Sequence, residues 1–200
     1  MPSREDTIKR LILDLKRDEL YFYNDNRCFE FIKANPENND PLIVNEKISA
    51  MNNGVIENED IPAFAANLLS LPVDEALEKG DLEIVSQISA VNEKEPHAFR
   101  KIASIFCNFH RPEIYPVQTY IAEELMELYC KKIVPEAGLP DNILPYLNFS
   151  EITDHFTKYY GFDSFNYYEL EKFLWLNARR IREYFKNDDR DARFSSLDDR

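Results

Sequence analysis

The densest group of side chains that could do chemistry lies in residues 99–121, FRKIASIFCNFHRPEIYPVQTYI. Cys107 and His110 stand three residues apart there, and such a pair can bind one metal ion, with Cys130 or His97 as further ligands. Structural zinc sites usually present two closely spaced pairs of ligands, and this chain has no second pair. We therefore expect no metal, and interpret Cys107 as a buried thiol and His110 as a turn residue.

The same segment contains no complete catalytic constellation. A cysteine–histidine nucleophile needs a third group that orients the imidazole, and residues three apart at one helix end rarely place the sulfur against the ring. The acids Glu123, Glu124 and Glu127 are interpreted as the solvated face of a helix. The four glycines are too widely separated for the phosphate loops of P-loop or Rossmann proteins. We expect no cofactor, and the sequence favours a non-enzymatic function while leaving an enzyme open.

Basic and aromatic residues nevertheless indicate a surface that a partner could contact. Basic residues cluster in two places, and aromatic residues lie among or beside them. The first cluster is Arg100, Lys101, His110 and Arg111, the second is Arg179, Arg180, Arg182 and Lys186, and the aromatic residues are Tyr115, Tyr120, Trp175 and Tyr184. Such side chains can contact phosphates and stack on bases. Alternatively, the basic stems cover apolar helix flanks and pair with nearby acids. The candidate binding surface consists of Arg100, Lys101, His110, Arg111, Tyr115, Gln118, Tyr120 and Trp175.

Trp175 is open to two interpretations. It lies in the run FLWLN beside Phe173, Leu174 and Leu176, which favours a core anchor over a ligand platform. As a core anchor it would contribute about 3 to 5 kcal/mol, the usual cost of truncating a buried aromatic residue to alanine.

Composition limits the classes to which the chain can belong. It has 200 residues, 44% of them hydrophobic, with 24 basic and 37 acidic residues and a formal net charge of −13. That charge repels nucleic-acid backbones and anionic membranes, so a nucleic-acid role would need a local basic patch. The cysteines are odd in number and set among apolar neighbours, which indicates free thiols in a reducing compartment. With no apolar run long enough for a signal peptide or a membrane span, we expect a cytoplasmic protein without a membrane partner.

Helical periodicity recurs along the chain, and the few glycines leave little room for hairpins. The pattern predicts an all-α, compact bundle of about nine to ten helices in two packed lobes. A rigid turn is expected from His110 to Pro116. The predicted helices cover residues 3–23, 24–35, 42–51, 62–69, 73–79, 81–90, 98–109, 116–132, 150–160 and 166–185.

The predicted lobes meet at a charged linker, residues 92–97, which contains Pro96. Residues 1–91 form the N-terminal helical lobe and residues 97–187 the C-terminal one. The tail, residues 188–200, alternates Asp with Arg and is expected to be disordered.

Two segments carry a resemblance to known proteins. SIFCNFHRPEIYPVQTYI, residues 104–121, and FTKYYGFDSFNYYELEKFLWL, residues 156–176, resemble elements of uncharacterised small all-helical bacterial proteins. The first segment is also similar, more distantly, to the region of helix-hairpin-helix DNA glycosylases where a helix delivers an essential aspartate after a proline-containing turn. At the place of that aspartate this chain has Gln118 and Thr119, which cannot act as a carboxylate base. The resemblance therefore implies an all-helical fold and an incomplete glycosylase site.

Two hypotheses for the function follow. In the first, the chain is an acidic cytoplasmic interaction protein that binds another protein through a helical surface or a groove between the lobes. In the second, it is a DNA-acting enzyme of the glycosylase-like kind that uses the basic patch from Arg100 to Arg111 and a carboxylate from elsewhere in the chain. The net charge disfavours the second hypothesis. A pocket lined by Tyr115, Gln118, Tyr120 and Trp175, with a carboxylate of perturbed pKa, would support it.

Overall fold

The structure, a computed structural model, describes residues 23–91, 95–133, 145–162 and 165–186. These residues form α-helices and one short 3-10 helix and contain no strand, which confirms the all-α fold. The helices are α1 (Tyr23–Ala34), α2 (Pro41–Asn52), α3 (Ile61–Leu69), α4 (Val73–Lys79), α5 (Glu83–Ser89), α6 (Pro96–His110), α7 (Tyr120–Ile133), α8 (Tyr146–Tyr160) and α9 (Tyr167–Lys186), and the 3-10 helix is Asn58–Asp60. The predicted first helix, most of the linker and the tail lie outside the described residues.

Local capping explains several helix ends. The Asp40 carboxylate accepts a hydrogen bond of 2.8 Å from the backbone N–H of Leu42, and Pro41 occupies the first turn of α2. Asn53 ends α2 in the left-handed conformation, with φ of 39°. Gly80 and Gly161 end α4 and α8 in the same way. These ends lie within two residues of their predicted positions, because each depends on a residue type that the sequence displays.

Two helices begin elsewhere than predicted. Helix α7 begins at Tyr120 rather than Pro116, because the backbone N–H of Gln118 donates to Ser104 Oγ on α6. The N–H of Thr119 donates to the carbonyl oxygen of Val117, which is also not a helical hydrogen bond. The Thr119 hydroxyl then caps α7 by accepting from the N–H of Ala122 at 3.1 Å. Helix α8 begins at Tyr146, directly after Pro145, rather than at Ser150. The predicted turn at His110–Pro116 is therefore only the first part of a longer connection.

One hydrophobic core runs through the described helices, from Ile32 on α1 to Ile181 on α9. It contains side chains from both predicted lobes, and the division into lobes remains a prediction. Helix α9 packs along α7, α5 along α6, and α2 along α3. Cys28, Cys107 and Cys130 are buried and free, as the sequence predicted. Within the described ranges, none of the helices has the length and apolar character that crossing a bilayer requires.

Candidate functional site

A groove with a volume of about 810 Å³ lies between α1, α2, α6 and α9, and Val117, Thr119, Tyr120 and Ile121 form part of its wall. We call it the central groove. Helix α9 contributes Tyr168, Glu171, Lys172 and Trp175, which follow one another at steps of three, one and three residues and therefore share one helix face. Helix α6 contributes a further row of side chains, namely Lys101, Ile105, Asn108 and Phe109.

Two exposed aromatic side chains border the central groove. Tyr120 is 75% exposed and Trp175 is 49% exposed. The interpretation of Trp175 as a core anchor is therefore wrong. The buried residues of α9 are Leu170, Phe173, Leu174, Asn177, Ala178 and Ile181, and at about 100° per residue Trp175 points well away from that stripe.

Charged side chains cross the central groove between α1 and α9. Lys172 Nζ lies 3.0 Å from Asp25 Oδ2 and 3.5 Å from Glu171 Oε2. The Tyr168 hydroxyl donates to the same Asp25 oxygen at 3.0 Å. Burial raises the pKa of the Glu171 carboxyl, while the cations of Lys172 and Lys101 oppose that shift. The groove thus contains a poorly solvated carboxyl group beside paired charges.

A buried amide lines the same groove. Asn108 is fully buried, and its Nδ2 donates a hydrogen bond of 2.7 Å to the carbonyl oxygen of Tyr115. Its Oδ1 accepts no hydrogen bond from the residues that the structure describes. A buried acceptor without a donor is costly, so Asn108 can satisfy a donor group of a bound segment.

A smaller pocket of about 210 Å³ adjoins the central groove, and Lys101 and Tyr120 line both. We call it the side pocket. The Glu123 carboxylate is buried in its wall, where it accepts a hydrogen bond of 2.6 Å from Gln118 Nε2 and lies 3.4 Å from His97 Nδ1. Burial raises the pKa of Glu123, against the opposing effects of Gln118, His97 and Arg100, which also lines the pocket.

The structure brings together five of the eight residues of the predicted binding surface. Lys101, Tyr120 and Trp175 line the central groove, and Arg100 and Gln118 line the side pocket with Lys101 and Tyr120.

His110, Arg111 and Tyr115 line neither the central groove nor the side pocket. Arg111 Nη1 donates to the carbonyl oxygen of Leu77, and the Tyr115 hydroxyl donates to that of Ala76, both at the end of α4. The His110 ring packs against Phe106, with ring centroids 4.8 Å apart. Arg111 and Tyr115 thus hold the turn after α6 against α4, and the His110 ring packs along its own helix.

Sequence reasoning missed the polar residues of the groove, including Asp25, Asn108, Glu171 and Lys172. Glu171 and Lys172 could have been found from the sequence, because helical periodicity places them on a different face of α9 from its buried apolar residues. Nothing local indicates that Asn108 or Asp25 faces a cavity, since both belong to helices that are distant from α9 in the sequence.

The cysteine–histidine pair does not resemble a metal site. Cys107 is fully buried, and burial raises the pKa of its thiol, so that the thiolate a metal ion needs is disfavoured. Across the described ranges, no group of three or more His, Cys, Asp or Glu side chains is arranged to hold a metal ion.

Comparisons with known proteins return two similarities. Residues 7–114 match the family model HI_0787_N, described as an N-terminal domain. The chain is also 25% identical over 148 residues to a protein of Haemophilus influenzae strain Rd titled "Uncharacterized protein", with 66% of this chain and 70% of that protein covered. No solved structure matches the chain significantly. The family match includes the groove residues of α1, α2 and α6 and ends before Tyr120 and Trp175.

Proposed function

Since the chain belongs to the HI_0787_N N-terminal domain family, whose description states no activity, we propose a function from the geometry of its groove. The protein is an acidic interaction protein that holds a segment of a protein partner in the central groove. We further propose that it acts in the cytoplasm, where its three buried free cysteines would stay reduced.

The observation that carries this proposal is the exposure of Tyr120 and Trp175 at the edge of a groove of about 810 Å³. Exposed tyrosine and tryptophan side chains are enriched at protein interfaces, because they bury a large apolar area at a small cost in conformational entropy. An extended segment also offers backbone N–H donors, and one of these would satisfy Asn108 Oδ1.

The charges of the central groove support a protein partner over nucleic acid. Asp25, Glu46 and Glu171 line it together with the three basic residues Arg27, Lys101 and Lys172. A groove of balanced charge in a chain of net charge −13 offers little attraction to a phosphate backbone. Balanced charges do suit a polypeptide, whose side chains carry both signs.

Site-specific photocrosslinking in the native cells tests the proposal. A photoreactive amino acid replaces Tyr120 or Trp175 and, as matched controls outside the groove, Leu42 or Tyr159, which are 75% and 54% exposed. We expect the groove positions to crosslink to one defined protein and the control positions not to. Crosslinking should disappear in the Ala50→Trp variant, whose indole would fill the groove, and persist in Ala63→Trp, which changes an exposed alanine outside it.

Crosslinks of equal yield from all four positions would contradict the proposal, as would crosslinks that persist in Ala50→Trp. A crosslink from the groove positions to the chain's own residues 1–22 would also contradict it, because the groove would then be filled by the chain itself.

A second candidate function is a DNA-acting enzyme of the glycosylase-like kind. The observation that favours it is the presence of two carboxyl groups of raised pKa, Glu171 and Glu123, near Gln118, Tyr120 and Trp175. Base release from damaged or single-stranded DNA would support this candidate if it is lost in Glu171→Gln or Glu123→Gln but not in Glu127→Gln. The absence of any base release over a panel of damaged bases would exclude it.

A further inference from the structure

We propose that the side pocket binds an oxyanion, and that the phosphate group of a phosphate monoester is the occupant that its charge fits best. This inference is independent of the protein partner proposed for the central groove. It rests on the charges, contacts and size of the pocket.

The first observation is a local reversal of charge. The side pocket is lined by the basic residues His97, Arg100 and Lys101 and by a single acid, Glu123. In the whole chain acids outnumber bases by 37 to 27, when the three histidines are counted with the lysines and arginines. A concave site in which bases outnumber acids attracts an anion despite the repulsion of the whole molecule, because the local field is screened least at short range.

The second observation concerns Lys101. Other lysines of the protein are paired with acids, for example Lys79 with Glu75, Lys158 with Asp154 and Lys172 with Asp25. Lys101 forms no ion pair with any acid in the described part of the chain, although its positive charge lowers the pKa of the more distant Glu171. Its ammonium group is therefore available to an incoming anion.

The third observation is that Glu123 is already engaged. Gln118 donates a hydrogen bond to one of its oxygens, and His97 lies near the other, so both carboxylate oxygens already have a neighbour within the protein. The raised pKa of this group further reduces the repulsion that an anion would meet.

Size and connection favour a small oxyanion attached to a larger group. A volume of about 210 Å³ holds a phosphate group with some of its water. The pocket shares Lys101 and Tyr120 with the central groove, so the rest of a monoester could extend toward that groove. A dianionic phosphate gains more from several cations than a monoanionic carboxylate does.

Titration of the ¹⁵N-labelled protein with inorganic phosphate and with acetate, at constant ionic strength, tests the inference by NMR. We expect phosphate to shift the amide resonances of Arg100, Lys101 and Gln118 in a saturable way and acetate to bind more weakly. Acetate that binds as tightly as phosphate would overturn the assignment to phosphate.

Charge variants then distinguish phosphate binding in the side pocket from general electrostatic attraction to the protein. The double variant Arg100→Gln/Lys101→Gln should bind phosphate at least about tenfold more weakly, since it removes charge-assisted hydrogen bonds. Lys79→Gln/Lys158→Gln removes the same net charge from two exposed sites elsewhere and should leave binding unchanged. An equal loss in the two double variants would overturn the inference.

Removing the negative charge of the pocket should have the opposite effect on phosphate affinity. Glu123→Gln should tighten phosphate binding, because it removes a like charge from the wall of the pocket. Glu127→Gln, one turn further along α7, removes the same charge outside the pocket and serves as the control. Weaker binding in Glu123→Gln, in a variant whose thermal unfolding matches the wild type, would overturn the inference.

Discussion

Trp175 and Phe173 lie two residues apart on α9 but on different faces of the helix. Phe173 is 4% exposed and Trp175 is 49% exposed. We therefore predict that Phe173→Ala lowers the free energy of unfolding by about 3 to 5 kcal/mol, the cost of truncating a buried aromatic residue. Trp175→Ala should lower it by less than about 1 kcal/mol. Urea denaturation of the two variants measures both values, and a larger loss for Trp175→Ala would place its indole in the core.

His110 provides a test of burial through pH. Burial lowers the pKa of its imidazole to about 3, with the Lys47 cation acting in the same direction. Below the ordinary histidine pKa the unfolded chain binds a proton that the folded protein does not, so stability falls as the pH falls. We expect this residue alone to cost about 1 to 2 kcal/mol between pH 6.5 and 5.

The measurement is the free energy of unfolding of His110→Gln and of the wild type at a series of pH values. The variant should show a shallower decline over this range, whatever its stability at pH 7. An unchanged slope in His110→Gln would show that the imidazole is protonated in the folded protein.

Among the helices, α4 and α8 can be compared directly, because each ends at a glycine in the left-handed conformation. Gly80 has φ of 71° and Gly161 has φ of 72°, so an alanine at either position meets the same backbone strain. A Cβ at Gly80 would lie 3.2 Å from Ile114 Cδ1, whereas a Cβ at Gly161 would have no other atom within 4 Å.

We predict that Gly161→Ala costs about 1 kcal/mol, from backbone strain alone. Gly80→Ala should cost more, because Ile114 must also move within the turn that follows α6. Thermal unfolding of the two variants compares them directly, and equal losses would mean that Ile114 adapts without cost.

At the scale of the whole molecule, net charge decides how the protein meets nucleic acid. With a net charge of −13, we predict no more than weak non-specific binding to duplex DNA at physiological salt. Fluorescence anisotropy with a labelled duplex across a salt series measures it. A submicromolar affinity at about 150 mM salt, lost on reversing the charges of Arg100 and Lys101, would instead support the DNA-acting enzyme.

The sequence by itself determined the fold class, the buried cysteines and most helix ends. Helix periodicity, proline and left-handed caps act over a few residues, so a local pattern contains the necessary information. The predicted start of α7 was wrong for the converse reason. The start of α7 depends on a hydrogen bond from Gln118 to Ser104, fourteen residues away on another helix.

Only the tertiary structure decided the composition of the site. The basic and aromatic residues of the segment after His97 were predicted to act together, but the structure places them at two separate positions along α6 and the turn that follows it. Arg100 and Lys101 line the side pocket, while Arg111 and Tyr115 pack at the end of α4. Asp25 and Lys172 meet at 3.0 Å although well over a hundred residues separate them in the chain. A sequence displays which residue types are present and their local period, whereas a groove depends on which helices pack side by side.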